Sequence, residues 1–366
     1  MIRSLSMTFL SVLVSVTPLA AREVMTAAGP LQLTMIADDF DEPWAVEALP
    51  DGGILVTERD GALWYLNDGA RNLVRGVPQV VAQGQGGLLD VMIPQDFATS
   101  RDVFLTYSKQ QNRGSGTALA VGQLSDDGTK LENTRTLWEM AQGSSGGRHF
   151  GSRVIEGADG KIYLTIGDRG DRDSAQDLAI ESGTVVRLNR DGSIPADNPF
   201  VGQDGARPGI WSYGHRNPQG LAAAADGTIY AVEHGARGGD EVNLVKRGAN
   251  FGWPVISYGR HYSGFKIGEG KEKPGMEQPE HYWDPSIAPS GAVVHSGQSI
   301  PDWRGQLFVG SLKFDYIARL DPDRGMAEVE QLQFPETGRV RDVIEAPDGA
   351  LWFLSVHDGA LYRLGR

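Results

Sequence analysis

The chain has 366 residues, of which 48 are glycine and 19 are proline, so many turns between short strands are expected rather than long helices. Its 47 acidic residues outnumber the 34 basic ones, and the resulting net charge of −13 argues against binding to nucleic acid or to an anionic membrane. The absence of cysteine excludes disulfides, thiolate metal sites and a cysteine nucleophile.

The first predicted element is a secretory signal peptide over residues 1–21. Arg3 precedes an apolar run from Met7 to Pro18, and the small residues Ala20 and Ala21 follow. This run is shorter than the roughly 20 residues that a membrane-spanning helix needs, and no later stretch could cross a membrane. We therefore expect a periplasmic or secreted protein whose mature chain is residues 22–366.

A phrase that begins with Asp-Gly and continues into apolar and aromatic residues recurs along the mature chain. Asp-Gly favours a tight turn, and the residues that follow are typical of a strand. Four clear copies and two weaker ones are anchored at Asp51, Asp102, Asp159, Asp226, Trp303 and Asp348. Six copies predict an all-β, six-bladed propeller in a single domain, whereas the alternative is six unrelated hairpins of a β-sandwich.

The mean spacing of the copies, about 59 residues, exceeds the roughly 40–50 residues of a compact blade, which predicts long loops at one mouth of the channel. His149 lies in such a loop, and its ordinary pKa suits a general base, although a solvated loop histidine is the alternative. Arg216 and Asn217 offer donors that suit carboxylates or carbonyls. Arg339 and Arg341 alternate along a predicted strand, so both side chains can point the same way. Together with Arg216 and Lys313 they suggest a bound polyanion, although a cation of this kind taken alone is more often a solvated surface charge.

Two glycine-rich segments have different interpretations. The segment from Glu233 to Glu241 could offer backbone carbonyls and the carboxylates of Asp240 and Glu241 to Ca²⁺, or it could be a turn with solvated acids. The segment from Gln83 to Asp90 lacks the third glycine of a dinucleotide fingerprint, so a nucleotide site is not favoured. Gln85 in this segment could instead face the channel mouth.

Together these stretches resemble the soluble aldose sugar dehydrogenases and glucose dehydrogenases that depend on pyrroloquinoline quinone (PQQ). The resemblance runs from about residue 40 to the C-terminus, and the family fold is a six-bladed propeller. The segments that carry it are Gly84–Leu89, His149–Arg153, Tyr163–Asp168, Gly214–Gly220, Asp240–Leu244, Asn250–Pro254 and Arg339–Ile344.

The resemblance implies a role for each candidate residue. His149 would be the base that takes the proton from the anomeric hydroxyl of an aldose while hydride passes from C1 to the quinone, giving a lactone. Gln85 would lie on the substrate side. The implied PQQ contacts are Arg216, Asn217, Tyr262, Lys313, Arg339 and Arg341. Ca²⁺ at the cofactor would bind the carbonyls of Gly235 and Ala236, and a second, structural Ca²⁺ would bind Glu241 and the Phe251 carbonyl.

The sequence also departs from the glucose enzymes. Arg148 stands where they carry an acid, Ala236 replaces a proline and the loops are shorter, so the broad-specificity aldose branch is the closer match. We expect a monomer or homodimer, and the electron acceptor is unknown. The alternative functions are a calcium-dependent propeller lactonase, which would need several metal-ligating carboxylates, and a non-catalytic binding propeller.

Overall fold

A computed structural model describes residues 21–366, so the predicted signal peptide lies, apart from Ala21, outside the described residues. The strands in chain order are β1 (Arg22–Thr26), β2 (Gly29–Ala37), β3 (Pro43–Ala48), β4 (Ile54–Glu58), β5 (Leu63–Asn67), β6 (Ala70–Leu73), β7 (Leu88–Met92), β8 (Asp102–Gln111), β9 (Gly114–Leu124), β10 (Leu131–Glu139), β11 (Val154–Glu156), β12 (Ile162–Ile166), β13 (Thr184–Leu188), β14 (Ile210–Tyr213), β15 (Pro218–Ala223), β16 (Ile229–Glu233), β17 (Asp240–Leu244), β18 (His281–Trp283), β19 (Pro289–Val294), β20 (Leu307–Ser311), β21 (Ile317–Asp321), β22 (Ala327–Leu332), β23 (Val340–Glu345), β24 (Leu351–Ser355) and β25 (Ala360–Gly365).

Helix is confined to short segments. The α-helix α1 spans Phe97–Ser100, and three 3₁₀ turns span Arg172–Gln176, Pro301–Trp303 and Pro322–Arg324. Within residues 21–366, no helix has the length and apolar character needed to cross a bilayer.

The strands form six antiparallel sheets, which are the six blades of a β-propeller. Blades 1 to 5 each contain four consecutive strands, namely β3–β6, β7–β10, β11–β14, β15–β18 and β19–β22. Blade 6 joins the two ends of the described chain, because β23, β24 and β25 continue into β2 and then β1. This pairing of β2 with β25 closes the ring through backbone hydrogen bonds. The predicted all-β, six-bladed propeller is therefore confirmed.

Each repeated sequence phrase occupies the same place in its blade. The anchors lie at the junction between the first and second strands, and the six anchors fall in six different blades. Gly52, Gly160, Gly227 and Gly349 have φ angles of +88°, +66°, +90° and +75° in these turns. Glycine adopts this left-handed conformation without the steric cost that a side chain would add. The turn chemistry that made the repeat visible in the sequence thus fixes one end of four of the six blades.

The first strand of each blade lines the centre of the ring. Each first strand contacts the first strand of the next blade, and β23 contacts β3 to complete the circle. Buried apolar residues fill the space between neighbouring blades, as where Trp303, Phe308 and Phe353 pack between blades 5 and 6. Burial of such side chains away from water is the main term that holds the blades together.

One arginine connects four blades near the axis. Nη1 of Arg153 lies 3.1 Å from Oδ1 of Asp90 and 2.8 Å from Oδ1 of Asp342. Its Nε atom donates to the Gln219 carbonyl and its Nη2 atom donates to the Arg341 carbonyl. These partners belong to blades 2, 4 and 6, while Arg153 itself precedes the first strand of blade 3. The inner ends of the blades are therefore fixed relative to one another, which gives the residues at the channel mouth a rigid base.

Candidate active site

The candidate residues lie at the end of the propeller opposite the Asp-Gly turns. The first two strands of a blade are antiparallel, so the start of the first and the end of the second lie at the same end. Residues that come before a first strand are Gln85, His149, Arg216, Asn217 and Arg339. Residues that follow a second strand are Gly235, Ala236 and Lys313. Positions far apart in the sequence thus share one mouth of the channel.

Two cavities open at this mouth. The inner cavity has a volume of about 210 Å³, and the predicted residues in its wall are Gln85, Asn217, Arg339 and Arg341. The outer cavity has a volume of about 780 Å³, and the predicted residues in its wall are Gln85, His149, Arg216, Asn217, Gly235, Tyr262 and Lys313. The cavities share Gln85, Asn217 and His234. The structure therefore brings together every residue predicted to touch substrate or cofactor.

His149 has a carboxylate partner on one side of its ring. Nδ1 of His149 lies 2.6 Å from Oδ1 of Asp168, a residue that is only 1 % exposed. The other oxygen of Asp168 accepts a hydrogen bond of 2.9 Å from the indole of Trp253. An ionised carboxylate accepts but cannot donate, so it selects the tautomer with the proton on Nδ1. Nε2 of His149 is then left as a base at the outer cavity.

The surroundings keep this imidazole neutral. Burial lowers the pKa of His149, and the positive charges of Arg216 and Arg148 act in the same direction, which outweighs the stabilising effect of Asp168. For Asp168, burial acts to raise the pKa, but the hydrogen bonds from His149 and the backbone of Gly170 prevail and hold the pKa below its ordinary value. The pair thus combines a neutral base with an ionised orienting group at neutral pH.

Contacts with Arg169 and Gln85 fix the loop that carries His149. Nη1 of Arg169 donates to the carbonyl of Arg148, and its guanidinium stacks on Phe150 at 3.4 Å from the ring centre. The Gln85 side chain accepts a hydrogen bond of 2.7 Å from the backbone N–H of His149. A Cβ atom at Gly167 would lie 2.2 Å from the His149 carbonyl oxygen, so only glycine allows this close approach. Gln85 therefore helps to position the base as well as lining both cavities.

The four predicted cations differ in their surroundings. Arg216 is 7 % exposed, and its Nη1 atom donates to the His234 carbonyl, while its buried Nε atom has no partner among residues 21–366. Arg341 donates to Oε1 of Gln219 at 3.1 Å. Burial lowers the pKa of Arg341 to about 9, and the charges of Arg153 and Arg339 contribute. Lys313 is exposed beside Phe314. Buried donors and crowded positive charge at the mouth match the requirements of an anionic ligand.

Arg339 reaches the inner cavity in a different way from the one the sequence suggested. Its alternation with Arg341 predicted that both side chains would leave one strand on the same side. Instead β23 starts at Val340, Arg339 has a φ angle of +51°, and the pairing with β24 is irregular between Val340 and Asp342. The two arginines still share a cavity wall, although strand alternation is not the reason.

The segment from Gly235 to Gly239 forms a tight loop whose carbonyls are the candidate metal ligands. Both carboxylate oxygens of Asp240 are taken by internal hydrogen bonds, from the Gly235 N–H on one side and from Ser286 and the Ala288 N–H on the other. Asp240 therefore shapes the loop. The Ala236 carbonyl accepts from the Arg260 N–H, which leaves it a second lone pair, and Gly235 lies in the wall of the outer cavity. Such carbonyl oxygens are hard ligands that suit Ca²⁺.

The second candidate metal site is a small cavity of about 10 Å³ between Glu241 and Phe251. Burial raises the pKa of Glu241 to about 8, and the neighbouring carboxylate of Glu233 contributes. One Glu241 oxygen accepts from Asn243. A cation in this position would compensate the buried charge. Across the described ranges of the chain, however, no three acidic, histidine or cysteine side chains cluster in a geometry that could hold a metal, so backbone oxygens would supply most ligands.

Several residues of the site were not singled out in the sequence analysis. Asp168 and Trp253 lie within segments that carried the resemblance, but no role was attached to them. His234 lies in both cavities, and Nε2 of its ring donates to the Pro289 carbonyl at 2.7 Å. Burial and the charges of Arg216 and Arg341 lower the pKa of His234 to about 3. The signal for Asp168 was its place directly after the buried strand β12, at the end where the site forms.

Comparison with known proteins agrees with this architecture. Residues 40–363 match the model of the glucose/sorbosone dehydrogenase family. The chain belongs to the glucose/sorbosone dehydrogenase family. It is 42 % identical over 337 residues to the aldose sugar dehydrogenase YliI of Escherichia coli (strain K12), covering 90 % of this chain and 91 % of that protein. The resemblance read from the sequence motifs is therefore confirmed, and the chain is an oxidoreductase of the aldose sugar dehydrogenase type.

Solved structures of the family extend the comparison. The apo form of the soluble aldose sugar dehydrogenase from Escherichia coli superposes with a TM-score of 0.89 at 40 % identity, covering 92 % of this chain and 99 % of that one. The PQQ-bound aldose sugar dehydrogenase from Streptomyces coelicolor gives a TM-score of 0.75 at 26 % identity, covering 91 % and 97 %.

Proposed function

We propose that the chain is an exported quinoprotein that oxidises aldoses at C1 to lactones, with PQQ as the hydride acceptor and His149 as the general base. The observation that carries this proposal is the pairing of His149 with Asp168 at the edge of a cavity whose other walls hold Arg216 and Lys313. A base alone fits many reactions, but a base beside converging cations fits the removal of a proton next to an anionic redox cofactor.

The residues at the mouth suit PQQ. Three carboxylates make the quinone strongly anionic, and Arg216, Arg339, Arg341 and Lys313 would hold them, with Asn217 and Tyr262 as further contacts. The partnerless Nε atom of Arg216 and the lowered pKa of Arg341 both reflect cations whose charge is not neutralised by the protein. The PQQ-bound relative from Streptomyces coelicolor supports the choice of cofactor.

Calcium would occupy two positions. The carbonyls of Gly235 and Ala236 would hold one ion beside the cofactor, where it would supply Lewis acidity. Glu241 and the Phe251 carbonyl would hold the second ion, which stabilises the loop that leads to Trp253 and hence the partner of Asp168. Hard oxygen donors and the buried charge of Glu241 support this assignment.

Three residues of the chain would act on the sugar. Gln85, at the mouth of both cavities, would contact the sugar hydroxyls. Nε2 of His149 takes the proton of the C1 hydroxyl while the C1–H bond breaks, and the carbonyl of the lactone forms. Asp168 stabilises the resulting imidazolium through Nδ1. When bound, PQQ accepts the hydride and so receives the two electrons that the sugar loses.

Reconstitution of the purified mature chain tests the proposal. The protein is mixed with PQQ and Ca²⁺, and oxidation of glucose and other aldoses is followed with an artificial dye acceptor and by identification of the lactone. We expect activity that requires the quinone, that His149→Gln abolishes almost completely, and that His281→Gln on the outer strand β18 retains. Absence of a quinone-dependent rate would refute the function, and lactone hydrolysis without quinone would favour the lactonase alternative.

The segment before Arg22 supports export as part of the proposal, since its charged start, apolar run and small residues are those of a signal peptide. Expression of the full chain with mass analysis of the mature protein tests this, because cleavage near Ala21 and recovery outside the cytoplasm are expected. Recovery of the uncleaved chain in the cytoplasm would contradict it.

A further inference from the structure

The wall of the outer cavity carries positive charge that the protein does not neutralise. Its cationic residues are Arg216, Arg237, Arg260 and Lys313, whereas Asp284 is the acid in the same wall. Among residues 21–366, none of these four cations has a carboxylate oxygen within 4.0 Å. A cavity whose walls carry charge of one sign attracts ligands of the opposite charge. The outer cavity is therefore an anion-attracting region in a protein whose net charge is −13.

Some cations elsewhere in the molecule form close ion pairs. Arg187 lies 2.9 Å from oxygens of both Asp159 and Asp197, and Arg319 lies 2.8 Å from Glu330. Similar pairs are distributed over the blades. Other cations, such as Arg113 and Arg135, also have no carboxylate oxygen within 4.0 Å among residues 21–366, so the lack of a partner alone does not mark a site. What distinguishes the outer cavity is that four such cations share one wall in which Asp284 is the acid, so that this wall offers its positive charge to a ligand.

The proposed cofactor accounts for only part of this charge. Three carboxylates of PQQ would be matched by Arg216, Arg339, Arg341 and Lys313, and Ca²⁺ beside the quinone adds two further positive charges. Arg237 and Arg260 are not needed for that balance, and they lie on the loops at Gly235–Gly239 and Gly259–Phe265. The loaded site would thus remain positive on its solvent side.

Arg237 and Arg260 are held in place by backbone contacts while their charges stay available. Nη1 of Arg237 donates to the Tyr262 carbonyl at 3.2 Å, which links the two loops. The backbone N–H of Arg260 donates to the Ala236 carbonyl at 2.9 Å. Within the described part of the chain, the guanidinium of Arg260 has no hydrogen-bond partner, and both side chains are exposed. A prepositioned guanidinium pair offers donors that match a carboxylate or a phosphate.

We propose that Arg237 and Arg260 form an anion subsite for the substrate, so that the enzyme prefers aldoses carrying a negatively charged group away from C1. This proposal rests on the proposed function, because it places C1 at His149 and the charged group at the outer wall. The outer cavity has a volume of about 780 Å³, within the range of roughly 300–1,000 Å³ that small-molecule sites occupy. A uronic acid and an aldose 6-phosphate share the required chemistry.

Kinetics of the reconstituted enzyme provide the first test. We expect kcat/KM for glucuronate or glucose 6-phosphate to exceed that for glucose by about tenfold at low salt, mainly through a lower KM. The advantage should shrink as the ionic strength rises, because the Debye length falls to about 10 Å at 0.1 M. The two charged sugars show whether carboxylate or phosphate is preferred, and an advantage for either supports the subsite. Equal kcat/KM values for charged and neutral sugars would overturn it.

Binding of sugars that cannot be oxidised separates the subsite from catalysis. Methyl glucuronide and methyl glucoside have a blocked anomeric oxygen, and calorimetry of the PQQ- and Ca²⁺-loaded protein compares their affinities directly. Tighter binding of the glucuronide is expected, and equal binding would contradict the subsite. If no aldose is oxidised with PQQ, the proposed function fails, whereas this binding comparison still decides the subsite.

Variants that remove one positive charge show which residues cause the preference for charged sugars. Arg237→Gln and Arg260→Gln should each lower kcat/KM for the charged sugar several-fold while leaving the value for glucose nearly unchanged. Arg260→Lys should retain part of the preference. Arg135→Gln is the matched control, because Arg135 is an exposed arginine of β10 without an acidic partner and lies outside both cavities. Equal losses for charged and neutral sugars would show a merely structural role and overturn the proposal.

Discussion

Nδ1 of His149 and Oδ1 of Asp168 lie 2.6 Å apart, on residues that belong to two different loops of blade 3. Asp168 follows β12 and is almost completely buried, whereas His149 precedes β11 and reaches the cavity. The carboxylate is fixed in turn by Trp253 from blade 4 and by the N–H of Gly170. The orientation of the imidazole is therefore set by a network that does not depend on the substrate.

Asp168→Asn should reduce kcat by about 10²- to 10⁴-fold without preventing cofactor binding. The amide cannot stabilise an imidazolium as a carboxylate does, and it permits the tautomer with the proton on Nε2. Steady-state kinetics with glucose measure the effect, and titration with PQQ checks that the site still forms. Asp171→Asn is the control, because Asp171 is an exposed acid on the same loop. A kcat near the wild-type value for Asp168→Asn would show that His149 needs no carboxylate partner.

The value of kcat/KM should fall in acidic solution, and the midpoint of this fall should lie below pH 6.5. Burial and nearby positive charges lower the pKa of His149 from that ordinary value, so the base becomes protonated only in more acidic solution. Arg148→Gln removes one of these charges, and it should move the acid limb of kcat/KM for a neutral aldose towards higher pH. Arg135→Gln should leave the limb unchanged. A shift of the limb towards lower pH in Arg148→Gln would contradict the electrostatic explanation.

The fold was largely predictable because its turns leave a strong local signal. Asp-Gly at the junction of the first two strands recurs in several blades, since each blade needs the same left-handed turn at that end. The closure of the ring was not predictable from this repeat. Strands β1 and β2 carry no Asp-Gly phrase, and they join blade 6 through pairing with β25, which lies more than 300 residues away in the chain.

Residues of the site could be predicted where a charged side chain lies just before or just after a blade strand. Cations placed just before or after blade strands, such as Arg216 and Lys313, meet at one mouth for topological reasons. The role of Asp168 needs a spatial relationship that spacing does not reveal, and Asp168 looked like any polar residue after a strand. The sequence likewise does not tell which of Asp240 and Glu241 is free to bind a metal ion. Only the structure shows that internal donors occupy both oxygens of Asp240.

Buried acids at the other end of the channel should make the stability fall as the pH rises. A further cavity of about 400 Å³ at that end is lined by Glu47, Asp90 and Asp342 together with Arg153. Burial raises the pKa of Glu47 from 4.5 to about 8, and the charges of Asp90 and Asp342 contribute. A group whose pKa is raised on folding favours the folded state at low pH, and that contribution is lost as the pH rises through the folded-state value.

Glu47→Gln should therefore stabilise the protein at pH 9 by roughly 1–3 kcal/mol and have little effect at pH 5. The amide keeps an acceptor for the N–H of Ala48 but carries no charge to bury. Urea unfolding at both pH values, with Ca²⁺ held constant, measures the difference. Glu132→Gln on β10 is the control, because that carboxylate is 54 % exposed. A stabilisation that is the same at both pH values would contradict the titration of Glu47.

Calcium should raise the thermal stability of the protein through Glu241 even when no quinone is present. Glu241 lies buried near the carboxylate of Glu233, so the protein without the ion carries two close acids, and a divalent cation would offset their repulsion. A ligand present at 100 times its Kd stabilises the folded state by about 2.7 kcal/mol. We expect a clear rise in Tm on adding Ca²⁺ to chelator-treated protein, and a smaller rise with Mg²⁺.

At pH 9, above the pKa of about 8 that burial gives Glu241, Glu241→Gln should remove most of that gain while raising the Tm of the calcium-free protein, since the variant no longer buries a second charge near Glu233. Glu280→Gln should respond to Ca²⁺ as the wild type does, because Glu280 is exposed just before the outer strand of the same blade. The two variants change the net charge equally, so a general screening effect of the ion would act on both. An undiminished Ca²⁺ response in Glu241→Gln would show that the stabilising ion binds elsewhere, whereas loss of the response in that variant alone would locate it beside Phe251.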